Sequence, residues 1–188
     1  MALFRKNGSV TVRLRSGEKA PNFQLSSAQG GVFRLDIRTA HGPVILAFVD
    51  AGEEAHGLLE LLKEHKDEFQ RAAVANRFRA REKSRASGEA YIRMGPTVTA
   101  TVAAVVRAES MEQVKELRER LQLPYYVLWD ETNWVSGMYG VPEGKAAVAL
   151  VQSDGTLTWF PEVVESLQAD KILQAIFPGG DKGSVAGK

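Results

Sequence analysis

The sequence of 188 residues contains no cysteine. Disulfide bonds, thiolate zinc ligands and cysteine nucleophiles all depend on that side chain, so each of them is excluded for this chain. Chemistry that needs a thiolate is therefore outside its reach, whatever the fold.

A large charge of one sign and long apolar runs are also lacking. The formal net charge is +1, which gives no overall attraction to nucleic acid or to an anionic membrane. No stretch approaches the roughly 20 apolar residues of a membrane span, and residues 1–8 contain no apolar run typical of a signal peptide. The hydrophobic fraction of 44% is enough for a real core. We expect a cytoplasmic protein with no membrane partner.

Apolar runs separated by helical patterns predict an α/β fold. Val44–Val49 is a continuous apolar run, which is typical of a strand buried on both faces. The same pattern predicts two further strands, at Val98–Val106 and Tyr125–Trp129. Helical spacing predicts one long helix over residues 53–85, and Ser110 is expected to cap a second helix. Strands that alternate with helices imply a parallel core with right-handed crossovers.

Turn signals at both ends of the chain predict hairpins. Alternation in Val10–Leu14 suggests an edge strand, and Gly30–Gly31 precedes a return strand at Val32–Leu35. Further elements are expected nearer the C-terminus: a short helix at Asn133–Tyr139, a hairpin of Ala146–Val151 with Thr156–Phe160, and a last helix capped by Ser166 and stopped at Phe177. We predict one domain over residues 1–178 and a disordered tail over residues 179–188.

A basic segment at about residues 70–96 has the appearance of a helical insertion. Between Arg71 and Arg93 it carries seven basic side chains against two acidic ones. Arg77, Arg81 and Arg85 are four residues apart and would share one helix face as partner-binding residues. Such a stripe suits phosphates or an acidic partner, but it also suits a solvated helix face or contacts within an oligomer. Because the nearby Phe78 is apolar, we favour a homo-oligomer, a dimer, over nucleic acid.

Five segments in order resemble the peroxiredoxin-like (alkyl hydroperoxide reductase/thiol-specific antioxidant) family of the thioredoxin-like superfamily. They are Gly17–Leu25, Pro43–Phe48, Ser110–Pro124, Trp129–Val141 and Ala149–Gly155. The resemblance spans residues 17–176. It implies a thioredoxin-like fold, with a central mixed sheet flanked by helices, an N-terminal β-hairpin and the basic helical insertion. It also implies ancestors that reduced peroxides or disulfides.

The positions that carry this family's chemistry are all altered. Alignment at the strand end places the Cys-x-x-Cys of thioredoxin-like reductases on Glu53 and His56, and alignment at Phe69 places the peroxiredoxin nucleophile near Ala55. The family's cis-proline and its peroxide-polarising Arg would both fall at Ala146. We therefore predict no catalytic residues and no cofactor, and a redox-inactive binding or assembly module. The residues do not decide whether the chain is an enzyme, but thiol-dependent activity is not expected.

Two alternatives come from other classes of function. Asp50, Glu53 and His56 would suit a small metal site or an acid/base site of a non-thiol enzyme. The simpler interpretation, which we favour, is acidic residues in a first helical turn beside a solvated histidine, with no metal. The second alternative is binding of nucleic acid or an acidic partner through Arg71–Arg93.

Three other groups of side chains have structural interpretations. We expect His41 to be a turn residue and His65 to be a partly buried packing residue. Trp129, Trp134 and Trp159 are expected to pack at strand and helix ends. Trp134 and Tyr139 would also suit the wall of an active-site cleft, although core packing is favoured.

Overall fold

A computed structural model describes residues 4–6, 9–11, 14–88, 98–159 and 169–176. The strands are β1 Phe4–Lys6, β2 Ser9–Thr11, β3 Gln24–Ser27, β4 Val32–Arg34, β5 Val44–Asp50, β6 Thr101–Arg107, β7 Tyr126–Trp129, β8 Ala147–Val151 and β9 Leu157–Trp159. The helices are α1 Leu35–Thr39, α2 His56–Glu64, α3 Lys66–Ser87, α4 Met111–Arg120, α5 Trp134–Met138 and α6 Ala169–Ile176. A 3₁₀ turn, Glu53–Ala55, leads into α2.

Seven strands form the central sheet in the order β4-β3-β7-β6-β5-β8-β9. The three middle strands are parallel, because β5 pairs with β6 and β6 with β7 in the same direction. The strands on either side are antiparallel. The expected central mixed sheet flanked by helices is therefore confirmed.

Strand β5 is buried on both faces, as its unbroken apolar run predicts. Alternate residues Ile45, Ala47 and Val49 face a core formed with α2, α3, α4 and α6. Val44, Leu46 and Phe48 face the opposite core, which contains residues of α1 and α5 and the aromatic ring of Tyr139. All six side chains are fully buried, so the sheet is the middle layer of three.

The hairpins at both ends are confirmed. Strands β3 and β4 pair around Gly30 and Gly31, whose φ angles of 92° and 75° favour glycine, and β8 pairs with β9. The expected edge strand at Val10–Leu14 is described only in part, because residues 12 and 13 lie outside the described ranges. Ser9–Thr11 pairs with Phe4–Lys6 in a separate two-stranded sheet rather than at an edge of the central one.

The single helix expected over residues 53–85 is interrupted. It begins as the 3₁₀ turn and continues as α2, and it bends at His65, whose φ and ψ of −95° and 5° depart from helical values. The His65 ring binds the Glu68 carboxylate at 2.8 Å and lies against Phe69. The Phe69 amide still donates to the His65 carbonyl, at 3.0 Å, so the chain keeps a helical course. Helix α3 ends at Ser87 and is followed by Gly88, which is left-handed with φ 71°.

Other local predictions have mixed outcomes. Ser110 caps α4 as expected, since its Oγ accepts from the Gln113 amide at 3.3 Å. His65 is half-buried and His41 is an exposed turn residue, as expected. Several predictions concern residues outside the described ranges. They are the Ser166 cap, the stop at Phe177, the C-terminal tail, the basic segment from residue 89 on, and the packing of the Trp159 side chain. Within the described ranges, no helix has the length and apolar character needed to cross a membrane.

Candidate functional site

The carboxyl ends of β5 and β6 meet at one edge of the sheet. Asp50 ends β5 and Arg107 ends β6, and the two residues are neighbours in the parallel register. The 3₁₀ turn that opens α2 begins three residues after Asp50. Ligand sites of open α/β sheets lie at this edge, outside the carboxyl ends of the strands, so this is where a site is expected.

A buried arginine occupies that edge. The Arg107 side chain is only 4% exposed, and its Nε donates to Asp50 Oδ1. Its two terminal nitrogens donate to the carbonyl oxygens of Val141 (3.1 Å), Pro142 (2.8 Å) and Lys145 (2.6 Å). The other carboxylate oxygen of Asp50 accepts from the Gly144 amide at 2.7 Å. We call Asp50, Arg107 and the loop of residues 141–145 the Arg107 clamp.

The clamp satisfies the groups that it buries. A guanidinium has five N–H donors, and the Arg107 group uses four of them on the carboxylate and the three carbonyls. A buried charge is tolerated when it is paired and hydrogen-bonded in this way. The loop before β8 is therefore held to the ends of β5 and β6 by the protein's own side chains.

The positions that the family resemblance singled out lie in the turn that follows Asp50, at the start of α2 and directly after the clamp loop. Ala146 is half-buried and follows the clamp loop, directly before β8. Ala55, in the 3₁₀ turn, is 4% exposed, so a small buried apolar side chain stands where the resemblance would place a nucleophile. Glu53 and Glu54 are exposed in the first turn, where the helix dipole favours acidic groups. His56 is half-buried, and its Nε2 lies 2.9 Å from Nη2 of Arg120.

The structure does not assemble Asp50, Glu53 and His56 into a ligand set. Both carboxylate oxygens of Asp50 are already engaged within the clamp. Among the described residues, no group of three or more His, Asp or Glu side chains is arranged to hold a metal ion. The geometry therefore gives the metal-site alternative no support.

A second buried carboxylate orders the segment that follows β7. Asp130 is 1% exposed. Its oxygens accept from the amides of Val135 (3.1 Å) and Ser136 (2.8 Å) and from the Ser136 hydroxyl (2.7 Å). These bonds satisfy free N–H groups at the start of α5, although Asn133, in left-handed conformation, stands at the usual capping position.

Tyr139 is a core residue, as favoured, and not the wall of an open cleft. Its ring is fully buried, with its centroid 4.8 Å from that of Phe48, and its hydroxyl donates to the Pro21 carbonyl at 2.9 Å. Burial raises its pKa well above the usual value. The expectation that Trp134 packs is wrong: this side chain is 57% exposed, because the buried face of α5 is formed by the next residues, Val135 and Ser136.

Sequence reasoning missed Arg107 and the structural role of Asp50 and Asp130. A signal was present for the first pair. A charged residue follows each of the two most apolar runs, and the two charges have opposite signs. Asp50 follows Val49, and Arg107 follows Val106. Opposite charges at the matching ends of adjacent parallel strands are well placed to pair.

The basic stripe of Arg77, Arg81 and Arg85 lies on α3, which is helical as the sequence pattern predicts. Arg81 and Arg85 are exposed, whereas Arg77 is half-buried. Phe78 is 60% exposed among these charges. The stripe continues the four-residue spacing of Phe69 and Ala73, which pack in the core, and it becomes exposed toward the C-terminal end of α3.

A shallow depression of about 310 Å³ lies at the other end of the sheet, beside Val151 and α1. Its ionisable side chains already have partners. Asp36 pairs with Arg34, which lowers the pKa of that carboxyl, and Asp154 accepts from Thr156, which lowers its pKa as well. Lys19 donates to the Asp154 carbonyl at 2.5 Å.

Comparison with known proteins supports the fold. No protein-family model and no curated protein matches this chain. Among solved structures, it is similar to the peroxidoxin BcpB of Mycobacterium tuberculosis, with a TM-score of 0.65 and 16% identity over 87% of this chain and 97% of that one. It is also similar to a thiol:disulfide interchange protein from Bacteroides sp., with a TM-score of 0.62 and 16% identity over 92% and 96% of the two chains.

A third similar structure is a secreted disulfide oxidoreductase of Mycobacterium tuberculosis, with a TM-score of 0.54 and 14% identity over 82% of this chain and 93% of that one. At such identities the likeness establishes architecture and not activity. The central mixed sheet, its flanking helices and these likenesses lead to one conclusion: the chain has a thioredoxin-like fold, and it has that fold without any cysteine.

Proposed function

We propose that this chain is a redox-inactive, peroxiredoxin-like protein that acts as a binding or assembly module. The observation that carries the proposal is the Arg107 clamp. It closes the loop before β8 onto the ends of β5 and β6, at the edge where a protein of this architecture would bind its substrate.

The state of the nucleophile position supports the same conclusion. Ala55 offers a buried methyl group where the resemblance would place a thiolate, and Glu53 and His56 occupy the alternative positions. An exposed carboxylate and an imidazole do not form the sulfenic acid or mixed disulfide through which thiol enzymes work.

The binding or assembly role is supported by the exposed end of α3. From Phe78 to Ser87, every side chain except that of Ser84 is exposed. A helix with a polar surface all round gains little from packing on its own domain. Arg and aromatic side chains together are typical of protein interfaces, so contact with another protein gives this segment a role.

The redox part of the proposal is tested by assays of the wild-type protein. Consumption of hydrogen peroxide with dithiothreitol as reductant, and reduction of insulin disulfides, should both equal those of a heat-denatured control. Turnover clearly above that control would contradict the proposal, because it would require a mechanism without a thiol.

Two cysteine variants sharpen this test. Glu53→Cys/His56→Cys places two thiols three residues apart at the start of a helix, where the helix dipole lowers a thiol pKa. This variant should acquire insulin-reducing activity. Ala55→Cys places one thiol at a site only 4% exposed, where burial raises the thiol pKa, so it should stay inert. The contrast would indicate that the scaffold can support the chemistry when reactive thiols are supplied.

A further inference from the structure

Charge is segregated along the segment of 3₁₀ turn, α2 and α3, residues 53–87. Its first part, residues 53–68, has six acidic side chains and two lysines, a net charge of −4 with histidine neutral. Its second part, residues 69–87, has six basic side chains and one acidic, a net charge of +5. The whole chain carries only +1, so this polarity belongs to the segment itself.

The two kinds of charge share one outward face. Spacings of three, four and seven residues align exposed side chains along the helices: Glu64, Asp67, Arg71, Phe78, Arg81 and Arg85. The opposite face carries Leu62, Phe69 and Ala73, which are buried in the core. We call the exposed set the polar stripe. It is acidic toward its N-terminal end and basic toward its C-terminal end, with Phe78 in the basic part.

The polar stripe is complementary in charge to the polar stripe of a second copy that runs in the opposite direction. In an antiparallel pair with the twofold axis between Val74 and Ala75, Glu64 faces Arg85 of a second copy and Asp67 lies beside its Arg81. In the same register Arg71 faces Phe78, an arrangement suited to a cation–π contact. Ala75, exposed near the axis, presents only a methyl group and permits close approach of the two helices.

We propose that the polar stripe is a homodimer interface, occupied by a second copy of this chain in antiparallel orientation. Both halves of the stripe are satisfied by one isologous contact, as twofold symmetry requires. The inference rests on the assembly role proposed above and names the partner.

A second copy fits the stripe better than a nucleic acid does. Phosphate groups would pair with Arg81 and Arg85, but a strand running along the stripe would meet the carboxylates of Glu64 and Asp67 within a few turns. Pairing with carboxylates also relieves the repulsion between arginines four residues apart. Phe78, 60% exposed in one copy, would be covered in the pair.

The experiment uses two complementary charge reversals, R81E/R85E and E64R/D67R. Each variant alone confronts like charges across the interface, and its dimer dissociation constant should rise at least about tenfold over that of the wild type. An equimolar mixture restores opposite charges at both ends and should form a heterodimer with near wild-type affinity. Sedimentation velocity over a concentration series measures the dissociation constants of the wild type, of each variant and of the mixture. High salt should weaken the wild-type dimer.

A matched control reverses two exposed carboxylates elsewhere. E112K/E116K on α4 changes the net charge as E64R/D67R does, but it leaves the polar stripe intact. This control should dimerise as the wild type does.

Three results would overturn the inference. They are a wild-type protein that stays monomeric up to its solubility limit, a dimer that resists both reversals, and a mixture that shows no rescue. Salt-sensitive binding of a single-stranded oligonucleotide by a wild-type monomer would assign the basic half to phosphate instead. A monomer that is also inactive toward peroxide and disulfides would remove this inference but leave the redox part of the proposed function standing.

Discussion

Arg107 and Asp50 form an ion pair across the ends of two adjacent parallel strands, and the same guanidinium holds three carbonyls of the loop before β8. One side chain thus joins three segments that are far apart in sequence. The contact lies at the edge of the sheet where ligands of α/β proteins bind.

The clamp should contribute strongly to stability. Arg107→Met keeps an unbranched apolar stem but removes the guanidinium, so three carbonyls lose their donor and Asp50 keeps only its bond from the Gly144 amide. Since three carbonyls lose a charged donor and the half-buried Asp50 carboxylate loses its counter-ion, the free energy of unfolding should fall by about 3 kcal/mol. Urea denaturation measures this loss. Arg15→Met, at an exposed arginine, serves as control with a change of about 0.5 kcal/mol or less. Equal stabilities of the two variants would show that the clamp contributes little.

Asp130 should be needed for the order of α5. Asp130→Ala removes the acceptor for two backbone amides and one hydroxyl, and we expect a loss of about 2–3 kcal/mol in the free energy of unfolding. Asp130→Asn keeps one oxygen and should lose less. The neighbouring Glu131 is exposed, so Glu131→Ala is the control and should be close to neutral. An Asp130→Ala protein as stable as this control would contradict the assigned role.

Two buried tyrosines should make the protein sensitive to alkali. Burial raises the pKa of both Tyr125 and Tyr139 above the unfolded value of about 10. Their contribution to stability is therefore fully present below pH 10 and is lost as the pH rises from 10 toward their folded pKa values. Each tyrosine should lower the free energy of unfolding by up to about 1.4 kcal/mol per pH unit in that range.

Urea unfolding at several pH values between 7 and 11.5 tests this dependence, with the pH range chosen around the unfolded tyrosine pKa of about 10. Tyr125→Phe removes one ionisable hydroxyl, which donates to the Leu59 carbonyl at 2.7 Å. The variant should start less stable at neutral pH but lose stability less steeply above pH 10. Parallel curves for variant and wild type would show that Tyr125 does not titrate on unfolding.

A charge on the central strand should prevent folding, whereas the same charge on the surface should not. Ile45 is fully buried in β5, and Ile37 in α1 is 46% exposed. Ile45→Asp buries an unpaired carboxylate and removes a core side chain, so a loss of more than about 4 kcal/mol is expected. Ile37→Asp should change stability by less than about 1 kcal/mol. Circular dichroism melting curves compare the two variants. An Ile45→Asp protein that melts like the wild type would show that Ile45 does not lie in a buried strand.

Much of the architecture follows from local sequence pattern. The apolar runs predicted β5, β6 and β7, because strands buried on both faces need apolar residues at every position. Ser110 and the glycine turns predicted a helix start and two hairpins for reasons of backbone geometry. The absence of cysteine is a property of composition alone, and it excludes thiol chemistry for any fold that the chain could adopt.

The tertiary structure decided what the charged residues do. Asp50 and Arg107 are 57 positions apart, and only the parallel register makes them neighbours, so the opposite charges at the two strand ends identify a pair only once that register is known. The bend at His65 was missed because apolar residues recur on both sides of it, and helical periodicity contains no signal for a single non-helical ψ. Trp134 was misplaced for a related reason. Its size favours burial, but packing against the sheet decides which face of α5 meets the core. The buried residues of α5 are Val135 and Ser136, which follow Trp134.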